Sequence, residues 1–427
     1  MPEQPSTFGS ELRRARQAAG LTVAELAARV HYSKGQISKV ETGHKRPTDE
    51  LGRLCDAELG ADGALLSLLP GAGRTAPFGP HRTAPPGPAR RQIVTAGAAS
   101  VLAGTVTVLA DTPAAASAGG GAPPLPPADG PLLDIHLALL AQYRRLGQSA
   151  SPAAVLPALT EQTRALRRLA AASGPRTARE LLALSARFAE FAGWMAQESG
   201  DRTAALRWTD HAVELADAAG DFDLASYALV RRGLVAYYRG DAAGTVALAR
   251  QAHSGRAPAR VRGLAAQREA QGHALAGDHG ACMRSLDRAR ELLSRGGAGD
   301  TSAPVLGTTH LTDPVSMITG WSLLDLGRPR EAAEALAREL SRVPAGARRT
   351  LARYGTRQAL AHALAGDLDQ ACALTADLLR TVRAVDSATV ALDLRRLGRA
   401  LGRHPAHPAV RELAPRLALA LAPAVRP

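Results

Sequence analysis

The sequence predicts an all-α protein, and three observations lead to this prediction. Alanine and leucine carry most of the apolar content, and aromatic residues make up only 3% of the chain. Alanine and leucine are strong helix formers, whereas aromatic and β-branched residues favour strands. Helix-start signals recur near the N-terminus, and glycines recur at similar spacings through the C-terminal part. At 427 residues the chain is long enough for more than one domain.

Residues 7–69 are predicted to form five short helices. Thr22 and Glu25 stand three positions apart, in the S/T-x-x-E pattern that lets side chains satisfy the free amides of a first helical turn. Ser33 and Gln36 repeat this pattern one helix later. Apolar residues follow each capping pair at helical spacing, so these segments predict a compact helical domain.

Residues 70–131 have the composition of a linker rich in proline, glycine and alanine. An uncharged apolar segment at 93–110 interrupts it, directly after Arg90 and Arg91. Twin arginines before an apolar run resemble an export signal, but such a signal is not expected behind a folded domain. The segment is shorter than the roughly 20 residues of a typical membrane span. We favour a linker or a docked helix here, and a membrane tether is the alternative.

Residues 132–420 are predicted to form a helical repeat array. A "GD" or "GR" pair recurs at five positions, and small residues stand seven positions before and five positions after each glycine. The five glycines are Gly200, Gly240, Gly277, Gly327 and Gly366. Small residues at fixed offsets on two helices that flank a tight turn are typical of stacked helical hairpins.

The composition excludes several classes of function. The three cysteines are far apart and form no CxxC pair, so a reducing cytoplasm fits better than a disulfide framework or a zinc site. No P-loop, HExxH, GxSxG or dinucleotide glycine pattern occurs. We therefore predict no enzyme activity, no catalytic residue, no metal and no cofactor. The arginine-rich stretches "RRLGRALGRHPAHP" and "PAGARRTLARYG" suit either an acidic or nucleic-acid partner or a solvated face, and we favour the solvated face.

All three lysines of the chain fall within the stretch "HYSKGQISKVETGHKRP", residues 31–47, although the chain has 52 basic residues. Residues 1–48 carry eight basic residues against four acidic ones, a modest local excess within a net charge of +13. Three cations on one capped helix and its loop favour a DNA contact over an ordinary solvated face.

The stretch "LRRARQAAGLTVAELAARVHYSKGQISKVETGHKRP" resembles the lambda-repressor-like, XRE-family helix-turn-helix. The resemblance implies that the second motif helix enters the major groove of duplex DNA. It implies that Lys34, Gly35 and Lys39 read bases, and that His44, Lys45 and Arg46 grip the backbone. The full set of DNA-contact residues that it implies is Thr22, Ser33, Lys34, Gly35, Gln36, Ser38, Lys39, His44, Lys45 and Arg46. It also implies a structural salt bridge between Arg16 and Glu41.

Two positions depart from the pattern of that family. Val23 stands where the family usually has a glutamine that contacts phosphate, and Gly35 has no side chain with which to read a base. Specificity then rests on Lys34 and Lys39, whose amines suit the O6 and N7 acceptors of guanine. We expect G-rich half-sites.

The array resembles tetratricopeptide (TPR) repeats through its small residues around each turn glycine. Its units are longer than the usual ~34 residues and lack the aromatic signature of that repeat, so it is TPR-like. The whole chain resembles large actinobacterial regulators of the XRE type, and it is organised like regulators that sense peptides on a TPR domain.

The sequence as a whole predicts a cytoplasmic, sequence-specific transcriptional regulator that binds double-stranded DNA as a homodimer. Its array is expected to bind a peptide, a small molecule or a protein, or to hold the dimer together. Ligand occupancy would then change the spacing of two DNA-binding domains across the linkers. The alternative is a scaffold or adaptor, membrane-tethered or soluble, that uses the helix-turn-helix and the repeats to bind proteins.

Overall fold

The computed structural model describes residues 7–69, 130–253, 256–295 and 305–422, and every regular element in these ranges is a helix. The predicted all-α fold is confirmed. The apolar segment at 93–110 lies outside the described residues. Among the described helices none is long and apolar enough to cross a bilayer.

The N-terminal domain, residues 7–69, contains five short helices. They are α1 (Phe8–Ala18), α2 (Val23–Arg29), α3 (Lys34–Glu41), α4 (Asp49–Glu58) and α5 (Ala64–Ser67). Both predicted capping boxes are present: Thr22 caps α2 with Glu25, and Ser33 caps α3 with Gln36. Since each box satisfies amide donors that the first helical turn leaves free, the sequence itself determines where α2 and α3 begin.

Apolar side chains from four helices form the core of this domain. Leu12 from α1, Leu26 from α2, Ile37 from α3 and Leu65 from α5 have no exposed surface. The side chain of Asp56 closes the connection from α4 to α5, because its carboxylate accepts the backbone N–H groups at positions 63 and 65. These contacts make a domain in which α2 and α3 are held at a fixed angle.

The array begins at residue 130 and consists of fourteen described helices. They are α6 (Gly130–Ser149), α7 (Pro152–Ala171), α8 (Pro175–Glu198), α9 (Arg202–Ala219), α10 (Phe222–Tyr238), α11 (Ala242–His253), α12 (Ala259–Ala276), α13 (His279–Arg295), α14 (Pro314–Asp325), α15 (Pro329–Leu340), α16 (Arg348–Leu364), α17 (Leu368–Val385), α18 (Ala388–Leu401) and α19 (Pro408–Leu421).

The five repeat glycines each form the turn of one hairpin, from α8–α9 to α16–α17, as the spacing predicted. Their φ angles lie between 74° and 88°, a left-handed conformation that glycine adopts without steric cost. The small residues five positions after each glycine are all buried. They are Ala205, Thr245, Cys282, Ala332 and Ala371, none more than 2% exposed. Their size lets the two helices of each hairpin pack closely, and Cys282 is one of these packing positions.

The N-terminal domain packs directly against three of these turns, a contact that the linker hypothesis did not include. A Cβ added to Gly277 would lie 2.7 Å from Leu66, and one added to Gly327 would lie 2.2 Å from the carbonyl oxygen of Arg53. One added to Gly366 would lie 2.7 Å from the ring of His31. We call these three turns the docking seat, because only a residue without a side chain lets the N-terminal domain come this close.

Polar contacts add to the docking seat at the edge formed by α18. Arg396 lies 3.3 Å from Glu50 and 3.5 Å from Asp325. The guanidinium of Arg403 lies 4.5 Å from the ring centre of Tyr32 and donates to its hydroxyl at 3.1 Å. Such charged and cation–π contacts are partly shielded from water, which strengthens them relative to surface pairs.

The expectation that the C-terminal arginines form a solvated face is wrong for several of them. Arg349 and Arg357 are 1% exposed and are among the largest fully buried side chains of the described residues. Arg349 pairs with the fully buried Glu198 at 3.2 Å, and Arg357 pairs with Asp393 at 2.7 Å. Burying a charge is costly unless it is paired, and the acidic partners stand too far away in sequence to be recognised there.

Candidate nucleic-acid interface

Helix α3 presents one buried face and one open face. Ile37 and Val40 lie in the domain core, whereas Lys34, Ser38 and Lys39 are exposed. The positions alternate as the 3.6-residue period requires, with the core residues three apart and the exposed residues between them. The exposed face therefore carries two cations and one hydroxyl on a helix that the domain holds rigidly.

Gly35 lies on the same open face and has no neighbouring atom within 4 Å of the place where a Cβ would be. The lack of a side chain at this position is not required by packing inside the protein. It leaves the surface of α3 between Lys34 and Ser38 without a side chain, so the backbone of a binding partner can approach closely there.

Two of the predicted DNA-contact residues, Ser33 and Gln36, form hydrogen bonds in the N-terminal cap of α3. The carbonyl oxygen of the Gln36 side chain accepts the backbone N–H of Ser33 at 3.3 Å, and the Ser33 hydroxyl accepts the backbone N–H of Gln36 at 3.3 Å. Gln36 is also half-buried. Because the side chains of Ser33 and Gln36 form the N-terminal cap, the lysines are the side chains of α3 that are more available for a DNA contact.

Helix α2 begins with the same type of cap. The carboxylate of Glu25 accepts the backbone N–H of Thr22 at 2.7 Å, and this hydrogen bond lowers the pKa of Glu25. Thr22 is exposed at the start of the helix, whereas Val23, next to it, is half-buried against the domain core. The position that lacks the expected glutamine is thus used for packing.

The loop after α3 carries the remaining predicted contacts. His44, Lys45 and Arg46 are all exposed. The backbone N–H of Lys45 donates to the carbonyl of Lys39 at 3.0 Å, and the Nδ1 atom of His44 lies 2.9 Å from the Thr42 hydroxyl. The loop is therefore folded back on the end of α3, so that its cations extend the basic face of the helix.

Arg16 and Glu41 form the ion pair that the resemblance implied. Arg16 Nε lies 2.6 Å from Glu41 Oε1, and Nη2 lies 2.9 Å from Oε2. Both side chains are nearly buried, and the bond to Glu41 raises the pKa of Arg16. Arg16 also donates to the carbonyl of Leu21 at 2.7 Å, so this bidentate pair fixes α1 and the α1–α2 turn against the end of α3.

Sequence reasoning favoured a solvated face for Arg399 and Arg403 and did not link them to this surface. A cleft of about 510 Å³ opens between the N-terminal domain and the array. Gln36, Lys45 and Arg46 line it on one side, and Arg399 and Arg403 line it on the other. These arginines lie more than 350 positions after α3 in the sequence, and no local pattern links them to it.

Comparison with known families supports this interpretation of the N-terminal domain alone. A family model described as a helix-turn-helix domain matches residues 7–69, less than a fifth of the 427-residue chain. Searches of the curated proteins and of the solved structures each found no match. The match and the exposed basic face of α3 support a DNA-binding regulator.

Proposed function

We propose that this protein is a sequence-specific transcriptional regulator of the XRE type, with α3 as the helix that reads the major groove. The observation that carries the proposal is the exposed pair Lys34 and Lys39 on a helix whose other face is fully buried. Lysine amines in the first and last turns of such a helix suit guanine acceptors. Gly35 between them permits close approach of the DNA backbone.

The loop residues supply the part of binding that does not depend on sequence. His44, Lys45 and Arg46 follow α3 on an exposed loop, where cations neutralise phosphates and release counterions. We propose a homodimer on two half-sites, since one short helix reads too few bases for specificity in a genome. We place the protein in the cytoplasm, where its DNA is, and its three free cysteines are buried.

The array is proposed to be the sensory part, a TPR-like domain that binds a regulatory ligand. Its direct contact with the N-terminal domain at the docking seat supports this, because a change in the array then reaches α4 without passing through the linker. This direct contact replaces the mechanism in which ligand binding acts only through the spacing that the linkers set.

The test is capture of genomic DNA fragments by the full chain, followed by affinity measurement on the recovered sequences. A Lys34→Ala, Lys39→Ala double variant should bind those fragments about 100-fold more weakly, since each good base contact contributes roughly 1–3 kcal/mol. An Arg176→Ala, Arg207→Ala variant loses the same charge from exposed sites on the array and should bind normally. Equal binding by wild type and the lysine variant, or no recovered fragments, would favour the scaffold or adaptor alternative.

A further inference from the structure

The array encloses a second cavity, of about 680 Å³, that the DNA-binding role does not use. Helices α6, α8, α10, α12, α14 and α16 line it, together with the segment that precedes α14. Its volume is in the range of small-molecule sites, which run from roughly 300 to 1,000 Å³.

The charged groups that line the cavity are mostly positive. Among the described residues, six arginines face it but only one carboxylate, that of Glu190. Some of the arginines are already neutralised: Arg231 lies 3.5 Å from Glu190, and Arg349 lies 3.2 Å from Glu198. The cavity therefore has more cationic groups than the surrounding protein balances.

Arg268 is a cation of the cavity wall that has no balancing charge among the described residues. None of the described residues forms an ion pair with it, and its one described hydrogen bond, from Nη1, goes to the neutral side chain of Gln271. Its Nε atom is buried and has no hydrogen-bond partner in the part of the chain that the structure describes. Burial, and then the nearby charge of Arg231, lowers the pKa of Arg268 to about 10. A buried, unpaired guanidinium destabilises a protein unless something else offsets it.

A second buried donor supports the same conclusion. Gln267 is only 6% exposed and lines the cavity one residue before Arg268. Its side-chain Nε2 group is buried, and no described residue forms a hydrogen bond with it. Two adjacent unpartnered donors at one cavity wall suit an acceptor that is brought by a ligand.

Aromatic rings also line the cavity. Trp194 lies 5.3 Å from Phe191, and Trp321 lies 5.8 Å from Tyr354, measured between ring centres. All four rings line the cavity. Flat apolar walls of this kind accept a planar or apolar body, and the polar groups then fix its orientation.

We propose that this cavity binds a small organic anion, an oxyanion group on an aromatic or apolar body, with Arg268 and Gln267 donating hydrogen bonds to the oxyanion. The proposal rests on the proposed sensory role of the array and names the chemical class of its ligand. A carboxylate and a phosphate share this chemistry, and the experiment separates them.

The test is calorimetric binding to the full-length protein, with 2-naphthoate and 2-naphthyl phosphate as anionic probes and 2-naphthamide as the neutral control. At least one anion should bind about ten- to a hundred-fold more tightly than the amide, the usual effect of hydrogen bonds to a charged group. The anion that binds better identifies the headgroup. Equal binding of the anions and the amide, or no binding of any probe, would overturn the proposal.

Variants at Arg268 separate a ligand role from a structural one. Arg268→Met should abolish the preference for the anion and leave the melting temperature equal or higher, because it removes an unpaired buried charge. Arg268→Lys keeps the charge and should keep part of the preference. Arg176→Met replaces a side chain that is 94% exposed and should change neither the preference for the anion nor the melting temperature. If Arg268→Met lowers the melting temperature and still prefers the anion, Arg268 is structural and the proposal fails.

The same preparation is assayed for binding to the captured DNA fragments. Loss of probe discrimination with normal DNA binding would remove only the ligand proposal. Absent DNA binding with clear probe discrimination would remove only the regulator proposal.

Discussion

Replacing Gly327 by alanine tests whether the N-terminal domain is seated on the turns of the array. Gly327 has a φ of 75°, and a Cβ there would lie 2.2 Å from the carbonyl oxygen of Arg53 in α4. Gly240 is a matched control, because it forms the same kind of turn with a φ of 74° and has nothing within 4 Å of its Cβ position.

The two substitutions share one cost and differ in another. Alanine in the left-handed conformation costs about 1–2 kcal/mol at either turn. Only Gly327→Ala adds a clash with backbone that cannot rotate away, and overpacking of this kind costs roughly 1–3 kcal/mol more. We expect Gly240→Ala to lower the free energy of unfolding by about 1–2 kcal/mol and Gly327→Ala by about 2–5 kcal/mol.

Urea unfolding measures the total loss in the free energy of unfolding, and hydrogen exchange followed by mass spectrometry locates the helices that are affected. The amides of α4 should exchange faster in Gly327→Ala than in Gly240→Ala, while the DNA affinity of the N-terminal domain stays normal. If both variants unfold at the same urea concentration and α4 exchanges equally in both, the N-terminal domain does not rest on this turn.

Two buried ion pairs give further predictions. Glu198 is fully buried between Arg349 and Arg353, so Glu198→Ala, which leaves both guanidiniums unpaired, should cost about 3–5 kcal/mol in urea unfolding. Burial alone would raise the pKa of Glu198, but the two arginines outweigh it and the net pKa is lowered. The stabilisation is therefore complete above the unfolded-state pKa of Glu198 and is lost as pH falls through its folded-state pKa. Glu198→Ala should not show this loss. Arg16→Met should likewise leave Glu41 unpaired and cost about 3–5 kcal/mol, seen as faster hydrogen exchange in α1 and α3.

Exposed pairs serve as controls for both predictions. Glu161→Ala breaks a pair with Arg164 in which both side chains are more than half exposed. Such pairs contribute roughly 0–1 kcal/mol. A loss as small as this in Glu198→Ala or Arg16→Met would contradict the assigned role of burial. If Glu198→Ala loses as much stability at low pH as the wild type does, the lowered pKa of Glu198 is not the cause of that loss.

The features that the sequence predicted correctly are those with a local cause. A capping box needs two side chains three residues apart, and a hairpin turn needs one glycine, so both leave a short pattern in the chain. Ser33 with Gln36 and the five turn glycines were found in this way. The ion pair between Arg16 and Glu41 is not local, and it was found only because the resemblance supplied both partners.

The features that sequence reasoning missed depend on contacts between distant segments. Glu198 and Arg349 are 151 positions apart, and Tyr32 and Arg403 are 371 apart. An arginine that will be buried beside a distant glutamate looks the same in sequence as one that will face water. Arg268 shows the same limit, since its lack of an acidic partner becomes visible only when all its neighbours are known.

The cavity and the docking seat share structural elements, which gives the ligand proposal a physical route to DNA binding. Arg349 and Arg353 line the cavity from α16 and hold Glu198. Glu198 also accepts hydrogen bonds from Ser387 and Thr389 at the start of α18. Arg396 in α18 contacts Glu50 of the N-terminal domain. An anion held by Arg268 that also weakens the pairing of these two arginines with Glu198 would therefore act on the same helix.

The spacing of the turn glycines shows where one connection of the array is longer than the others. Gly277 and Gly327 are 50 positions apart, whereas the other repeat glycines are 37 to 40 apart. The longer interval includes the connection before α14, and residues 307–311 of that connection line the cavity. The longest spacing between turn glycines therefore belongs to the connection that helps to build the proposed ligand site. The two glycines at its ends keep the left-handed turns on which the N-terminal domain rests.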